Sequence, residues 1–286
     1  MEKLGIIGGL GPAATAQLFS RIVQYTEADR DQDHLDVTIL NRPAIPDRTA
    51  FLLGKPGAAT FVEPMQQAAR ELEELGCTVL ATPCNTAHAR LDAIASVLDV
   101  ARFVDMPRSA AAFAARIGCK RVGVLATDGA LAAGVFQTAL AKAGLQTVIP
   151  AREVQAEVMS IIYDYVKAGR NVPPETVASV CEALVREGCD GIMLGCTELS
   201  LLGLGGRAQG ALVIDALDVL AYTCVTECGA KAVDLEGAYR MRGAGEDEPP
   251  NGGSLGDGLA CGGSDGDPPD GQTPSGGSSD NNETTE

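Results

Sequence analysis

Two cysteines of this chain stand in matching contexts. One stretch reads Gly76-Cys77, Thr78-Val79-Leu80-Ala81-Thr82-Pro83, Cys84-Asn85-Thr86. The other reads Gly188-Cys189, Asp190-Gly191-Ile192-Met193-Leu194-Gly195, Cys196-Thr197-Glu198. In each, an apolar run of strand type leads to a cysteine followed by small polar residues, and a Gly-Cys pair ends seven residues upstream. The two are offset by 112 residues, so the chain reads as two related halves, each delivering one thiol to the same place. Opposed thiols can take a proton from one face of a carbon and return one to the other face, which is the proton transfer that racemisation without a cofactor needs.

The elements that would position these thiols alternate between strand and helix along the chain. Strands are expected at 3–8, 36–41, 78–82, 101–105, 121–126, 146–150, 190–194 and 211–214. Helices are expected at 12–28, 58–75, 86–98, 107–117, 130–143, 152–168, 174–187 and 215–229. Such alternation is the pattern of a parallel α/β fold. Cys84 and Cys196 then lie at the C-terminal ends of strands, the edge where open α/β sheets bind ligands. A following helix N-terminus offers free backbone N–H groups, which are expected to lower both thiol pKa values. Cys77 and Cys189 fall at the opposite edge and read as structural.

The repeat extends beyond the cysteines. Leu4-Gly5-Ile6-Ile7-Gly8-Gly9 resembles Val122-Gly123-Val124-Leu125-Ala126-Thr127 at an offset of 118, and Phe103-Val104-Asp105 resembles Val213-Ile214-Asp215 at 110. The expected architecture is two pseudo-symmetric lobes, each a parallel sheet flanked by helices, with the active site in the cleft between them. Residues 1–105 with 215–242 would form the first lobe and 106–214 the second. Asp105 and Asp215, after matched strands, are expected to cap the segments that follow. Residues 243–286 are rich in Gly, Pro, Ser and acidic side chains and nearly lack large apolar ones, a composition of disorder.

Net charge is −16, and the ten acidic residues after Arg242, with no Lys or Arg among them, carry most of it. With no Trp and few other aromatics, nucleic acid is not an expected partner. No apolar stretch is long enough for a membrane span, and Met1-Glu2-Lys3 runs straight into a strand rather than a signal peptide. Nine cysteines in that setting point to a reducing cytoplasm rather than to disulfides. Cys224 and Cys228 have metal-pair spacing but no further Cys or His nearby, so no metal is expected.

The chain resembles the cofactor-independent aspartate/glutamate racemase superfamily over about residues 3–229. The marks are Leu4-Gly5-Ile6-Ile7-Gly8-Gly9-Leu10-Gly11-Pro12, Pro83-Cys84-Asn85-Thr86-Ala87-His88 and Gly195-Cys196-Thr197-Glu198-Leu199. The last two are specific when they occur together. The aspartate racemases are the most similar branch. Glutamate racemases of the cell-wall pathway carry His-Tyr where this chain has Glu198-Leu199, and an Asp-Ser element where it has Gly8-Gly9. Ile45-Pro46-Asp47-Arg48-Thr49 and Tyr165-Val166-Lys167-Ala168-Gly169 are similar to the same branch. The resemblance implies an enzyme that works without pyridoxal phosphate, Cys84 and Cys196 as catalytic bases, and Arg48 and Lys167 as contacts for the carboxylates of a dicarboxylic amino acid. Asn85, Thr86, Thr127, Thr197 and Glu198 are expected to supply the remaining substrate contacts. A homodimer is implied as well. His88 reads as a structural partner one turn after Cys84.

Other readings compete. Gly9-Leu10-Gly11-Pro12-Ala13-Ala14 fits a dinucleotide-binding turn, but the next strand ends in Asn41-Arg42, without the acidic residue that would hold a ribose. Related enzymes decarboxylate malonates with one cysteine or isomerise maleate. A glutamate or broad-specificity racemase, and a non-enzymatic amino-acid binding protein, complete the set.

Overall fold

The strand Leu4–Gly8 is apolar on both faces, and all five of its residues are buried. That is the pattern of a parallel strand covered by helices on both sides. The computed structural model describes residues 1–242. It has nine strands: β1 (Leu4–Gly8), β2 (Val37–Asn41), β3 (Val79–Ala81), β4 (Arg102–Phe103), β5 (Arg121–Leu125), β6 (Gln146–Val148), β7 (Gly191–Leu194), β8 (Arg207–Ala208) and β9 (Ala211–Asp215). One sheet is ordered β2-β1-β3-β4, the other β6-β5-β7-β9-β8. All pairings are parallel except β8 with β9.

The two orders are one topology used twice. β5, β6, β7 and β9 take the places of β1, β2, β3 and β4. Register agrees as well: Leu4 pairs with Val79 as Val122 pairs with Gly191. The expected two-lobed α/β architecture is therefore present. In both sheets the chain reverses direction of travel beside the first strand, between β1 and β3 or between β5 and β7, which opens a crevice at the strand C-termini. Alternation along β1 divides the core. Ile6 faces one apolar cluster, shared with Val124, Met193 and Ile214 of the other sheet, and Ile7 faces an outer cluster.

The helices are α1 (Pro12–Tyr25), α2 (Arg48–Leu52), α3 (Val62–Glu74), α4 (Leu91–Ala95), α5 (Met106–Arg116), α6 (Asp128–Ala132), α7 (Val135–Lys142), α8 (Arg152–Ser160), α9 (Pro174–Arg186), α10 (Thr197–Ser200), α11 (Ala216–Glu227) and α12 (Leu235–Arg242). A 3₁₀ segment, Asn85–Arg90, precedes α4, and a π-helical segment, Ile161–Val166, extends α8. Several expectations change: β8 lies in no expected strand, and the helix expected at 86–98 is the 3₁₀ segment with the short α4. The helix foreseen at 130–143 breaks at Gly134, whose φ of 67° is left-handed, into α6 and α7. α2, α10 and α12 fall outside the helix ranges expected above, although a helix start was expected at Cys196; α2 and α10 are five and four residues long, too short to show a period. α11 packs against α1 and α5, and its Cys224, with Cys228 just past its end, is buried in the shared core. Asp105 and Asp215 cap α5 and α11 as expected, accepting from the Arg108 and Leu217 N–H groups at 3.0 and 2.9 Å. No described helix is long and apolar enough to cross a membrane. The expected disordered tail at 243–286 lies outside the described residues.

Candidate active site

Each key cysteine caps a short helix. Cys84 is extended (φ −150°, ψ 97°) before the 3₁₀ turn, and Cys196 is extended (φ −134°, ψ 130°) before α10. Both are 6% exposed. They line one pocket together with Arg48, Asn85, Thr86, Thr127, Lys167, Thr197 and Glu198, so every expected site residue is brought to one place. Two hydrogen bonds hold the turns across the cleft. Thr197 Oγ1 donates to the Pro83 carbonyl at 3.1 Å, and Thr86 and Thr127 hydroxyls meet at 3.0 Å. Each turn thus fixes the other's cysteine. The remaining void is about 10 Å³, close to what one water needs. An amino acid requires side chains to move apart.

The two thiols sit in different fields. Cys84 faces the Arg48 guanidinium. Arg48 is held by backbone carbonyls: Nη1 donates to Ile45 and Pro46 at 3.3 and 3.0 Å, and Nη2 to Leu10 at 2.8 Å. Its Nε is buried without a partner. Burial opposes the Arg48 charge, but Cys84, Asp47 and Glu198 outweigh it and raise its pKa. Cys196 instead donates its S–H to Glu198 Oε2 at 2.9 Å. Burial first, and the Glu198 charge second, push the Cys196 thiol well above its ordinary range, with Lys167 opposing. The expectation that the turn lowers both thiols therefore fails at Cys196, where a four-residue helix cannot offset full burial beside a carboxylate.

Lys167 reaches the cleft because of the π-helical segment. Its N–H bonds to Ile162 five residues back, at 3.0 Å. The extra residue in the turn changes the phase of the side chains that follow. Lys167 Nζ pairs with Glu198 Oε1 and lies 5.7 Å from the centre of the Tyr163 ring. Burial works against its charge, yet Glu198 and the two cysteines leave its pKa raised. Asn85 is 2% exposed, and neither its amide nitrogen nor its oxygen has a partner, so it carries unused hydrogen-bonding capacity at the pocket wall.

Leu10, Asp47, Thr49 and Tyr163 also line the pocket and were not singled out from the sequence. Asp47 caps α2, accepting from Ala50 N–H at 2.6 Å, and accepts from Tyr163 OH at 3.2 Å. An Asp just before a short helix was the available signal for it. Tyr163 had none, since its orientation depends on the π-helical turn. His88 has the structural role expected of it. Nδ1 lies 2.9 Å from the Cys84 carbonyl and Nε2 accepts from Met106 N–H at 3.1 Å, which fixes a neutral ring donating through Nδ1. Burial lowers its pKa accordingly.

The glycine-rich turn after β1 borders this site. Gly9 has φ +90°, and a Cβ there would lie 2.5 Å from the Arg42 backbone. A Cβ on Gly11 would lie 3.3 Å from Glu198 Oε1, so Gly11 leaves room for that carboxylate. Gly129 plays a similar part across the cleft, where a Cβ would come within 2.7 Å of the Thr49 Cα. Gly129→Ala is expected to force α2, and Arg48 with it, away from α6. The expected cost is about 1–3 kcal/mol of stability, read from urea unfolding. A variant as stable as the wild type would show that this contact is not tight.

Behind Cys196, α10 is anchored by a buried ionic network. Ser200 Oγ donates to Asp215 Oδ1 at 2.6 Å, and Arg21 Nη1 bridges Asp215 and Asp218 at 2.7 and 3.0 Å. Arg21 Nη2 also reaches the Ser200 carbonyl at 3.3 Å. Tyr25 and Tyr239 donate to Asp218 at 2.5 and 2.9 Å. Burial, then the neighbouring Asp218 charge, raise the Asp215 pKa against the pull of Arg21.

A profile of the Asp/Glu/Hydantoin racemase family matches residues 7–224, most of the chain and all of the site. The chain belongs to the Asp/Glu/Hydantoin racemase family. As a member it is an amino-acid racemase. Its structure superposes on the Picrophilus torridus aspartate racemase with a TM-score of 0.69 and 26% identity, over 85% of this chain and 100% of that one. An aspartate racemase homologue from Pyrococcus horikoshii OT3 shares the fold, with a TM-score of 0.64 and 24% identity over 80% and 99% of the two chains. The broad-specificity amino-acid racemase RacX of Bacillus subtilis (strain 168) is 23% identical over 235 residues, 78% of this chain and 96% of that protein.

Proposed function

We propose that the protein interconverts L- and D-aspartate by a two-base proton transfer, with Cys84 and Cys196 on opposite faces of the α-carbon. The observation that carries this reading is the placement of two repeat-related thiols in one pocket, with a cation near each: Arg48 facing Cys84 and Lys167 near Cys196. One thiol takes the α-proton while the other supplies a proton to the far face, and the roles exchange with the handedness of the substrate.

An α-proton is weakly acidic, and this reading uses no pyridoxal phosphate as electron sink. The carbanion is instead stabilised by donors already in place where charge develops. Asn85 and the hydroxyls of Thr86, Thr127 and Thr197 line the pocket for that purpose, together with the N-terminal ends of the two turns. Arg48 and Lys167 favour a substrate with two carboxylates. Likeness to the Picrophilus torridus aspartate racemase supports the same choice. Expulsion of water as the side chains close strengthens each of these interactions. A cytoplasmic homodimer is part of the proposal, on the family resemblance and the use of cysteine.

The likeness to the Bacillus subtilis RacX favours a second reading, broad specificity. Incubation with a panel of single enantiomers followed by chiral chromatography decides between them. Aspartate is expected to be racemised fastest. Comparable rates on uncharged amino acids would support the broad reading, and no racemisation of any of them would refute both.

A further inference from the structure

A second cavity, of about 530 Å³, opens where β4 meets α5 and α11, and it shares no residue with the pocket of the two thiols. That volume is in the range of small-molecule sites. Its position follows from an inequality in the repeat. β4 of the first sheet corresponds to β9 of the second, but β9 has a further neighbour in β8, whereas β4 ends its sheet. The outer edge of β4 is left open, and Arg102 and Phe103 of that strand line the cavity.

Cations outnumber anions in the lining: Arg102, Arg108 and Arg116 stand against Asp105 and Glu227. Two of the guanidinia are already paired. Arg102 donates to both oxygens of Glu2 at 2.8 and 3.0 Å and meets Glu227 at 3.4 Å, and Arg116 Nε donates to Glu236 at 2.5 Å. Asp105 accepts the backbone N–H of Arg108 at 3.0 Å. The Arg108 side chain is exposed on the first turn of α5 and has no carboxylate partner among the described residues. The hydroxyls divide in the same way. Thr223 donates to the Val219 carbonyl at 2.7 Å and Thr226 to the Thr223 carbonyl at 3.0 Å, so both are committed within α11. The half-buried Ser109 and Tyr222 hydroxyls make no hydrogen bond among the described residues. One free guanidinium and two free hydroxyls, from two helices packed on each other, therefore line one cavity.

We propose that this cavity binds a small organic phosphate monoester, with Arg108 as the charged anchor and Ser109 and Tyr222 as further donors to the phosphate. A phosphate monoester presents three terminal acceptor oxygens and about two negative charges near neutral pH, which suits three unused donors in a cationic lining. A carboxylate has two oxygens and one charge and leaves a donor unmatched. Phe103, Val104 and Ala112 give the organic part an apolar wall. The proposal uses neither thiol and is independent of the racemase reading.

Equilibrium dialysis of the full-length protein tests it, with radiolabelled adenosine monophosphate, ribose 5-phosphate and succinate as probes. Both esters are expected to bind the wild type at millimolar concentration or below, and succinate at least about tenfold more weakly. Arg108→Ala is expected to weaken both esters about 10–100-fold, the loss of a charged hydrogen-bonding partner. Arg108→Lys keeps the charge without the fork and is expected to lie between. Tyr222→Phe is expected to cost about threefold. Lys167→Ala, in the other pocket, is expected to change nothing. The two esters separate the possible sources: a tighter nucleotide means that its ring uses the Phe103 wall, and equal binding means that the phosphate alone is held.

Failure of both esters to bind the wild type would overturn the proposal, as would binding that Arg108→Ala leaves intact or that Lys167→Ala abolishes. Succinate held as tightly as the esters would overturn the choice of phosphate. Thermal unfolding checks that each variant is folded, and if Arg108→Ala is not, Arg108→Lys and Tyr222→Phe decide by the same criteria. Sedimentation covers the remaining use of an open sheet edge: a dimer that Arg108→Ala turns into a monomer, with no ester bound by either, would make the cavity a contact between copies and overturn the ligand site.

Discussion

Cys84→Ala and Cys196→Ala are each expected to lower aspartate racemisation roughly a thousandfold, in both directions, while leaving the fold intact. Loss of a general acid or base removes on the order of 10²–10⁴ in rate, and in the proposed scheme each thiol plays one of those roles in each direction. Neither variant can retain one direction, because the equilibrium constant between enantiomers is fixed. The fold should survive because the two sulfurs are small parts of separate apolar clusters, Cys84 with Phe61 and Leu80, Cys196 with Leu199 and Leu194. The hydrogen bonds that tie the two turns use Thr197, Pro83, Thr86 and Thr127 rather than the thiols. Chiral chromatography of the reaction reads the rate, and thermal unfolding with and without aspartate separates lost chemistry from lost binding. A single variant racemising near the wild-type rate would rule out the two-base scheme.

The second large effect is on stability. Arg21→Met is expected to destabilise the protein by about 3–5 kcal/mol at neutral pH, the range for removing one partner from a buried ionic cluster. Arg21 pairs with both Asp215 and Asp218. Without it the two neighbouring buried carboxylates lose the cation they share. Ser200 and the tyrosines still donate to them, but hydrogen bonds do not cancel two charges. The same argument sets the pH dependence. Asp215 already has a raised pKa in the folded state, and removing Arg21 raises it further. A carboxyl whose folded pKa exceeds its unfolded value is without penalty below the unfolded pKa. The penalty grows as pH rises toward the folded value. The deficit of Arg21→Met relative to wild type should therefore shrink in acid and widen from there to neutral pH, as read from urea unfolding across that range. A deficit independent of pH would mean that lost packing, not charge, is responsible.

The fold was readable because it is a repetition. Strand order β2-β1-β3-β4 recurs as β6-β5-β7-β9, so the near-equal offsets between the halves mark true structural equivalence. The apolar runs of β1, β7 and β9 are buried on both faces and carry a strong signal. The site was readable through the same repeat, since Cys84 and Cys196 end equivalent loops. What was hidden depends on departures from regular period. A helix of five residues, α2, turns Arg48 inward and takes Asp47 as its cap. The π-helical turn at Ile161–Val166 re-aims Tyr163 and Lys167, while the sequence at 152–168 reads as one continuous helix. The inequality of the two thiols was hidden for a different reason. Glu198 was visible in the motif, but its contact with Cys196 is a matter of side-chain geometry two residues along a one-turn helix. The polar network under α10 joins residues as far apart as Arg21 and Asp215, and spacing along the chain carries no sign of it.

The central claim is that two groups on opposite faces of the α-carbon exchange protons with it, and isotope placement tests this most directly. L-Aspartate is incubated with the enzyme in D₂O, and both enantiomers are separated and weighed by mass spectrometry during the first turnovers. The account predicts that the D-aspartate formed carries one deuterium at Cα, while the remaining L-aspartate carries none. Deuterium appearing at the same early rate in the remaining L-aspartate would contradict it, since a single base that takes and returns the proton labels both enantiomers alike.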